Sequence, residues 1–396
     1  MLKIQEFIRQ FEDIEDANMF LKEKLHLKIK KSLLRHQDNS YDEVFIYNYD
    51  TIKSNKTNVI VKEARALILD KQSNIVSMSF QRFFNQEELT IDYIDWESAV
   101  AEERLDGSLI VIYNYNGDWY IQSRSEPMAG GFVHKTDFTY DTLAKRALLS
   151  KKKEKDPFWI FKQEENKYCY VFELVSPYNR IVTPYESTSL FLLTIVDKHA
   201  EKELSRDMIN DFAKKYNLER PETYRVRNIK EVEYLLENLL PLDKGFIVVD
   251  DNKNRIKVKN KDYLSISRVV IKSRNLLARC FAEIVLNGNA DEITTYFPEY
   301  TQVLRLFTDL LSILSDELSF IWFDCQDIKS QKEFAIKIKD NPLSSILFKK
   351  RNGYISSIDD ELMKIKPDKL VSIAQNRIGS ELQNELESLL RGSYDK

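Results

Sequence analysis

The sequence predicts an α+β fold in two parts: antiparallel sheets over residues 1–262, then an all-α region over residues 263–396. Three observations carry this expectation. Short runs of β-branched and aromatic residues recur through the first two thirds of the chain, without the strand–helix alternation of a doubly wound sheet. Turn residues separate some of them at hairpin spacing. After about residue 265 the apolar residues fall at helical intervals instead, with Pro298, Pro342 and Pro367 as punctuation.

The elements follow in order. From Met1 to Asp13 charges interrupt the apolar residues every few positions, which predicts an amphipathic helix and not a secretory leader. Val59–Val61, Ala66–Leu69, Leu109–Tyr113, Trp119–Ile121 and Tyr170–Phe172 read as strands. Asn116-Gly117-Asp118 reads as the turn joining two of them, and a second hairpin is expected from Phe246–Val249 across Asp250–Asn254 into Arg255–Lys259. Lys151–Lys155 reads as a solvated, charged insertion. Met128–Phe132 is glycine-rich but lacks the lysine and spacing of a phosphate loop, and reads as a mobile loop near a cleft. Arg274–Val285, Tyr300–Leu314 and Glu381–Arg391 carry helical periodicity.

Composition narrows the function. A hydrophobic fraction of 43% and a charged fraction of 31% exclude a disordered chain and fit an ordinary soluble one. The net charge of −4 gives no global sign of nucleic-acid binding, so a polyanion site would have to be a local basic cleft. Three dispersed cysteines, Cys169, Cys280 and Cys325, argue against a disulfide framework or a cysteine-based zinc site and favour a reducing cytoplasm. The histidines, His26, His36, His134 and His199, lack metal-ligand spacing and read as structural or surface residues. No run approaches the ~20 apolar residues of a membrane span.

Four segments carry chemistry: Glu103-Arg104-Leu105-Asp106-Gly107-Ser108-Leu109, Phe172–Val182, Lys244-Gly245-Phe246-Ile247-Val248-Val249 and Ile256-Lys257-Val258-Lys259. Each alone is a weak signal, since such runs occur in ordinary turns and strands. In this order and at these spacings they resemble the nucleotidyltransferase motifs of ATP-dependent RNA ligases, most closely the RNA ligase 1 type of T-even bacteriophage. Two upstream segments join the match, Arg65 in Glu63–Leu69 and Arg82 in Ser79–Asn85. These six segments, in family order, carry the resemblance over residues 60–260. It implies a nucleotidyltransferase domain in which a lysine attacks the α-phosphate of ATP, and AMP then passes to an RNA 5′-phosphate before a 3′-hydroxyl displaces it.

The same resemblance implies the site residues. Asp106, Gly107 and Ser108 match the nucleophile motif, with Gly107 expected to admit a nucleotide at a turn. Glu173 matches a glutamate that contacts ribose or metal, and Asn179–Val182 continues that match. Lys257 and Lys259 alternate along a strand, so both should face one side and act on the phosphates. Arg65, Arg82 and Arg124 stand at nucleotide-binding positions, and Phe83-Phe84 could border the groove. ATP and Mg²⁺ are the implied cofactors. RNA ends, including broken tRNA, are the implied partners, with a monomer as the expected state and no membrane.

Two positions depart from the pattern. The nucleophile position holds Arg104, and arginine stays protonated with no free lone pair, so it cannot form the phosphoramide. It can still pair bidentately with a phosphate. The position of the family's glutamate holds Lys244, which reverses the charge expected near Mg²⁺ unless Asp243 substitutes. Three readings stand open: an engineered Arg104 that traps bound ATP, a pseudo-ligase that binds nucleotide and RNA, and altered chemistry with Lys244 as a relocated nucleophile or another AMP acceptor. A non-catalytic RNA- or protein-binding scaffold is a further class, and it leaves Glu173, Lys257 and Lys259 unused.

Overall fold

The computed structural model describes residues 1–88, 93–133, 136–150, 155–162, 166–264, 266–267 and 278–391. His134, most of the charged insertion (residues 151–154) and the start of the helix expected at Arg274 lie outside the described residues. The chain divides into two compact units, Met1–Leu264 and Ser265–Lys396.

The first unit opens with two short helices, α1 (Lys3–Ile8) and α2 (Ile14–Leu25), where one helix over Met1–Asp13 was expected. The break has a local cause. Asp13 accepts a hydrogen bond from the Glu15 N–H at 3.0 Å and starts a second helix, while Glu63 binds the Lys3 and Ile4 N–H groups of the first. A second expectation is corrected at Val59–Val61. These β-branched residues lie in helix α3 (Val59–Glu63), because the Asn58 side chain caps the Ile60 and Val61 N–H groups. A good cap outweighs three residues of strand preference.

The strands are β1 (Leu27–Arg35), β2 (Tyr41–Tyr49), β3 (Arg65–Asp70), β4 (Ile75–Ser77), β5 (Phe84–Asn85), β6 (Val100–Glu103) and β7 (Ser108–Tyr115). They continue with β8 (Asp118–Ser123), β9 (Tyr168–Val175), β10 (Ser189–Asp197), β11 (Lys202–Glu203), β12 (Thr223–Arg225), β13 (Gly245–Val249) and β14 (Arg255–Lys259). Three sheets result, in the orders β1-β2-β3-β4, β11-β10-β9-β7-β8 and β12-β6-β13-β14-β5. Every pairing is antiparallel except that of β14 with β5.

Both expected hairpins form. Asn116 and Gly117 take φ of 51° and 88°, the left-handed pair that a two-residue hairpin turn requires, and Tyr115 pairs with Asp118. Phe246–Val249 pairs with Arg255–Val258 in register. The unbroken apolar run of β7 is explained by burial on both sides. Val111 and Tyr113 join the core shared with α1, α2 and the first sheet, while Ile110 and Ile112 pack with α4 (Tyr140–Leu149) and α5 (Arg206–Lys215). A third core lies between the last sheet and α6 (Ile229–Glu237).

The second unit is helical in all its described elements: α7 (Ala278–Leu286), α8 (Ala290–Tyr296), α9 (Thr301–Cys325), α10 (Gln331–Ile338), α11 (Ser344–Arg351), α12 (Ile358–Leu362) and α13 (Pro367–Arg391). Pro367 opens the last helix, at a position where its missing N–H costs nothing. That helix departs from helical geometry at Ile378, with φ −132° and ψ 28°. Phe281, Phe307, Phe334, Leu318 and Ala374 are fully buried in this unit. Among the described residues, no helix is long and apolar enough to cross a membrane.

Candidate active site

The strand order of the first unit brings distant segments to one cavity of about 450 Å³. Tyr49 of β2, Arg65 of β3, Glu102 and Glu103 of β6, Leu109 of β7, Glu173 of β9, and Arg255 and Lys257 of β14 line it. The β6–β7 connection supplies Arg104, Leu105 and Gly107, and Arg124 follows β8. Of the residues expected at the site, Arg65, Arg104, Gly107, Arg124, Glu173, Lys244 and Lys257 share this wall.

Beneath the wall lies Asp106, only 1% exposed. Its Oδ2 accepts from the Val182 and Thr183 N–H groups at 2.8 and 3.1 Å, and its Oδ1 accepts from the Tyr263 hydroxyl at 2.7 Å. Lys244 Nζ stands 3.0 Å from the same Oδ1 and donates to the Leu105 carbonyl at 3.3 Å. Burial pushes the Asp106 carboxyl up, but Lys244, Tyr263 and the two amides outweigh it and hold it below the usual range. Asp106 is therefore a buried hub, which corrects its expected place on the nucleotide wall.

Gly107 lies on the wall and has a second role. A Cβ there would lie 2.2 Å from the Leu174 carbonyl oxygen, so the glycine also lets the chain pass close to strand β9. Its N–H donates to Glu173 Oε1 at 3.1 Å, which orients that carboxylate. Ser108 accepts from the Asn179 amide at 3.0 Å and pins the segment carrying Val182. Gly245, at φ +111°, brings β13 equally close to the Val258 carbonyl.

The cations have distinct surroundings. Arg65 stacks over Phe80 and Phe83, 4.3 and 5.0 Å from the ring centres, and burial lowers it to about 10. Arg124 lies 5.1 Å from the Tyr49 ring centre. The Arg104 backbone N–H donates to Gly245, while its guanidinium makes no hydrogen bond or ion pair with a described residue. Burial lowers Arg104, opposed by Tyr263, Glu173 and Asp106. Lys257 sits 4.6 Å from the Phe83 ring centre and donates to the Phe83 carbonyl at 3.3 Å. Burial, together with Arg65, Arg104 and Arg82, brings its ammonium down to about 7 against a small pull from Glu88.

Carboxylates are fewer. Glu173 is pushed up by burial and drawn back by Lys244, the Gly107 amide and Arg65. Glu102 pairs with Arg220 at 3.2 Å, and Glu203 binds Arg255 through both oxygens at 2.7 and 2.5 Å. No group of three or more His, Cys, Asp or Glu that could cage a metal occurs among the described residues. With Asp106 committed to Lys244, the donors do not fit a cation held by protein alone. They fit one carried by phosphates, with Glu173 or Glu103 of the wall as a carboxylate beside it.

Four expectations are not met here. Lys259 is not on the wall, although it shares β14 with Lys257. Arg82 lines a neighbouring cavity with Lys62 and Lys253, because Glu88 holds it at 3.1 Å beside Phe84. Of the two phenylalanines only Phe83 lines the candidate site. Nor do Met128–Phe132 reach it: Ala129 donates to Ile121 at 2.7 Å and is buried, which ties that loop to β8. His36 is held between Asp42 and Tyr120 at 3.0 and 2.8 Å, a structural setting. The sequence reading missed Tyr49, Phe80, Glu102 and Arg255 on the wall, and Tyr185 and Tyr263 against Asp106. Arg255 was findable, since it shares the alternation of Lys257.

The chain is similar to several known proteins. The chain is 26% identical over 358 residues to a protein of Autographa californica nuclear polyhedrosis virus named as a bifunctional polynucleotide kinase/RNA ligase, with 85% of this chain covered. It spans about half (49%) of that relative's length. It is 25% identical to an RNA ligase of Rhodothermus phage RM378, covering 78% of this chain and 84% of that one. An archaeal ATP-dependent RNA ligase structure aligns at TM-score 0.47 and 12% identity, over 72% of this chain and 68% of that one. A family model described as RNA ligase matches residues 63–264, more than half of the chain, which takes in the cavity-lining residues other than Tyr49. The chain belongs to the RNA ligase family.

Proposed function

We propose that the Met1–Leu264 unit binds ATP in this cavity and acts on RNA ends, without forming a lysyl-AMP adduct at residue 104. One observation carries the reading. Arg65, Arg104, Arg124 and Lys257 line a single cavity, and none is ion-paired with a described carboxylate. Such a set of unneutralised cations suits a polyphosphate, and about 450 Å³ is within the range of small-ligand sites. Arg104 then serves as a fixed positive charge, since a guanidinium offers no nucleophilic nitrogen at neutral pH.

RNA ends bearing a 5′-phosphate and a 3′-hydroxyl are the substrates we assign, broken tRNA among them. Mg²⁺ would arrive on the triphosphate, with Glu173 as its protein ligand, and would neutralise phosphate charge. A reducing cytoplasm suits three buried cysteines that form no disulfide with one another. The scaffold reading leaves the four cations unexplained. Lys244 as a relocated nucleophile is weakened by its commitment to Asp106 and to the Leu105 carbonyl.

Titration calorimetry with ATP tests the site: replacing Lys257 by alanine should weaken affinity by roughly tenfold or more, as expected for a lost charge-assisted phosphate contact. Unchanged affinity would count against the cavity. Mass mapping after ATP treatment tests residue 104, where a stable AMP adduct would falsify the proposal. Arg104→Lys, alone and with Lys244→Glu, separates one block from two coupled ones.

A further inference from the structure

We propose that Lys257 is the residue through which this cavity forms a covalent adenylate, taking the role that Arg104 cannot perform. The inference rests on the ATP reading of the cavity and deepens it. Two lysines line the wall, Lys244 and Lys257. Lys244 is occupied by Asp106 at 3.0 Å and by the Leu105 carbonyl. Lys257 meets no carboxylate of a described residue: its nitrogen lies over the Phe83 ring with one carbonyl contact at 3.3 Å. Of the two it is the lysine whose nitrogen is left to a ligand.

The surroundings favour its neutral form. Arg65 faces it from β3, Arg104 from the β6–β7 connection and Arg82 from the segment before β5, while Glu88 pulls the other way. Crowding by three guanidinium groups and burial bring it to about 7, so an appreciable fraction is free amine at neutral pH. The guanidinium groups remain charged throughout and can hold the phosphates while the amine reacts. Substituting arginine at residue 104 thus adds a permanent charge that disfavours protonation of Lys257. The displaced chemistry and its new nucleophile share one cause.

The step balances without further reagents. The Nζ lone pair attacks the α-phosphorus of ATP and forms an N–P bond. The bond from that phosphorus to the α–β bridging oxygen breaks, and pyrophosphate leaves with the electron pair. One of the two Nζ protons is then lost to water, leaving a phosphoramidate with an uncharged nitrogen and one negative charge on its phosphoryl oxygens. A phosphate or hydroxyl oxygen of an RNA end can later take the AMP and return the amine.

The test is intact-mass measurement after incubation with ATP and Mg²⁺, followed by adduct mapping at neutral to alkaline pH, where a phosphoramidate survives. One added AMP on Lys257 is the expected result, forming at a rate that rises through about pH 7 with the free amine. Lys257→Arg keeps the charge and should reduce the adduct at least tenfold while calorimetry still registers ATP binding. An adduct mapped to Lys244 or any other residue overturns the proposal. So does saturating ATP binding by the parent protein with no adduct. Absence of ATP binding by the parent overturns the ATP reading itself, and this inference with it. Mapping on the parent decides the matter even if the variant fails to fold.

Discussion

Lys244 Nζ and Asp106 Oδ1 face each other at 3.0 Å beneath the cavity wall, with the carboxylate wholly removed from solvent. The pair inverts what charge alone would suggest for a lysine beside a phosphate site. Its ammonium looks inward, to a carboxylate that also holds Val182, Thr183 and Tyr263. Lys244 is thus part of the frame as well as part of the wall.

Removing that ammonium should therefore be costly. Lys244→Met leaves Asp106 buried without its counter-charge, an expected loss of about 3–5 kcal/mol. Lys244→Glu should be worse, because it sets a second carboxylate against the first. Urea denaturation reads both, and a loss below about 1 kcal/mol in Lys244→Met would show that the two amides and Tyr263 suffice.

Gly107→Ala should disrupt the same floor by sterics. Its Cβ would meet the Leu174 carbonyl oxygen at 2.2 Å, a backbone atom held in the β9 ladder. Gly131→Ala, with nothing within 4 Å of its Cβ, is the matched control and should change stability by less than about 0.5 kcal/mol. Thermal melting of the pair should separate them by several degrees. Equal melting would mean that β7 and β9 can part at little cost.

Stability should depend on Lys257 in the alkaline range. Its folded value of about 7 lies below the value of about 10.4 expected for an unfolded lysine. Between these values the unfolded chain binds more protons, so stability rises with pH there and is lost as pH falls through about 7. The gain across the window is on the order of a few kcal/mol. Unfolding measured at pH 7 and pH 10 should show a smaller difference in Lys257→Met than in the parent. An identical pH response in both would assign the effect to other groups.

Arg255 and Glu203 supply a second buried pair, this one at the cavity wall, with two contacts of 2.7 and 2.5 Å. Glu203→Gln should cost about 3 kcal/mol or more by leaving the guanidinium uncompensated. Because the freed charge borders the cavity, ATP affinity should rise while stability falls. A fall in both would indicate that the pair positions the wall.

The sequence made the local devices legible and concealed the distant ones. Asn116-Gly117 specified its hairpin because the required left-handed backbone is written in those two residues. Val59–Val61 was misread because a single side chain, Asn58, decides the matter through its cap. The wall residues Arg65, Glu173 and Lys257 were visible through a known pattern of segments. The inward role of Asp106 was not, since it depends on partners as remote as Tyr263. Arg82 and Lys259 were placed by alternation and motif alone, and alternation along a strand cannot say where a cavity ends.

Asp106 also sets the order in which this unit can come into being on a ribosome. Its four partners, Val182, Thr183, Lys244 and Tyr263, are synthesised long after it. Until Tyr263 clears the exit tunnel, the carboxylate lacks its last ligand and the β6–β7 connection has nothing complete to rest on. A nascent chain can therefore assemble its first sheet early, but it has no finished cavity to expose in the crowded space around translating RNA.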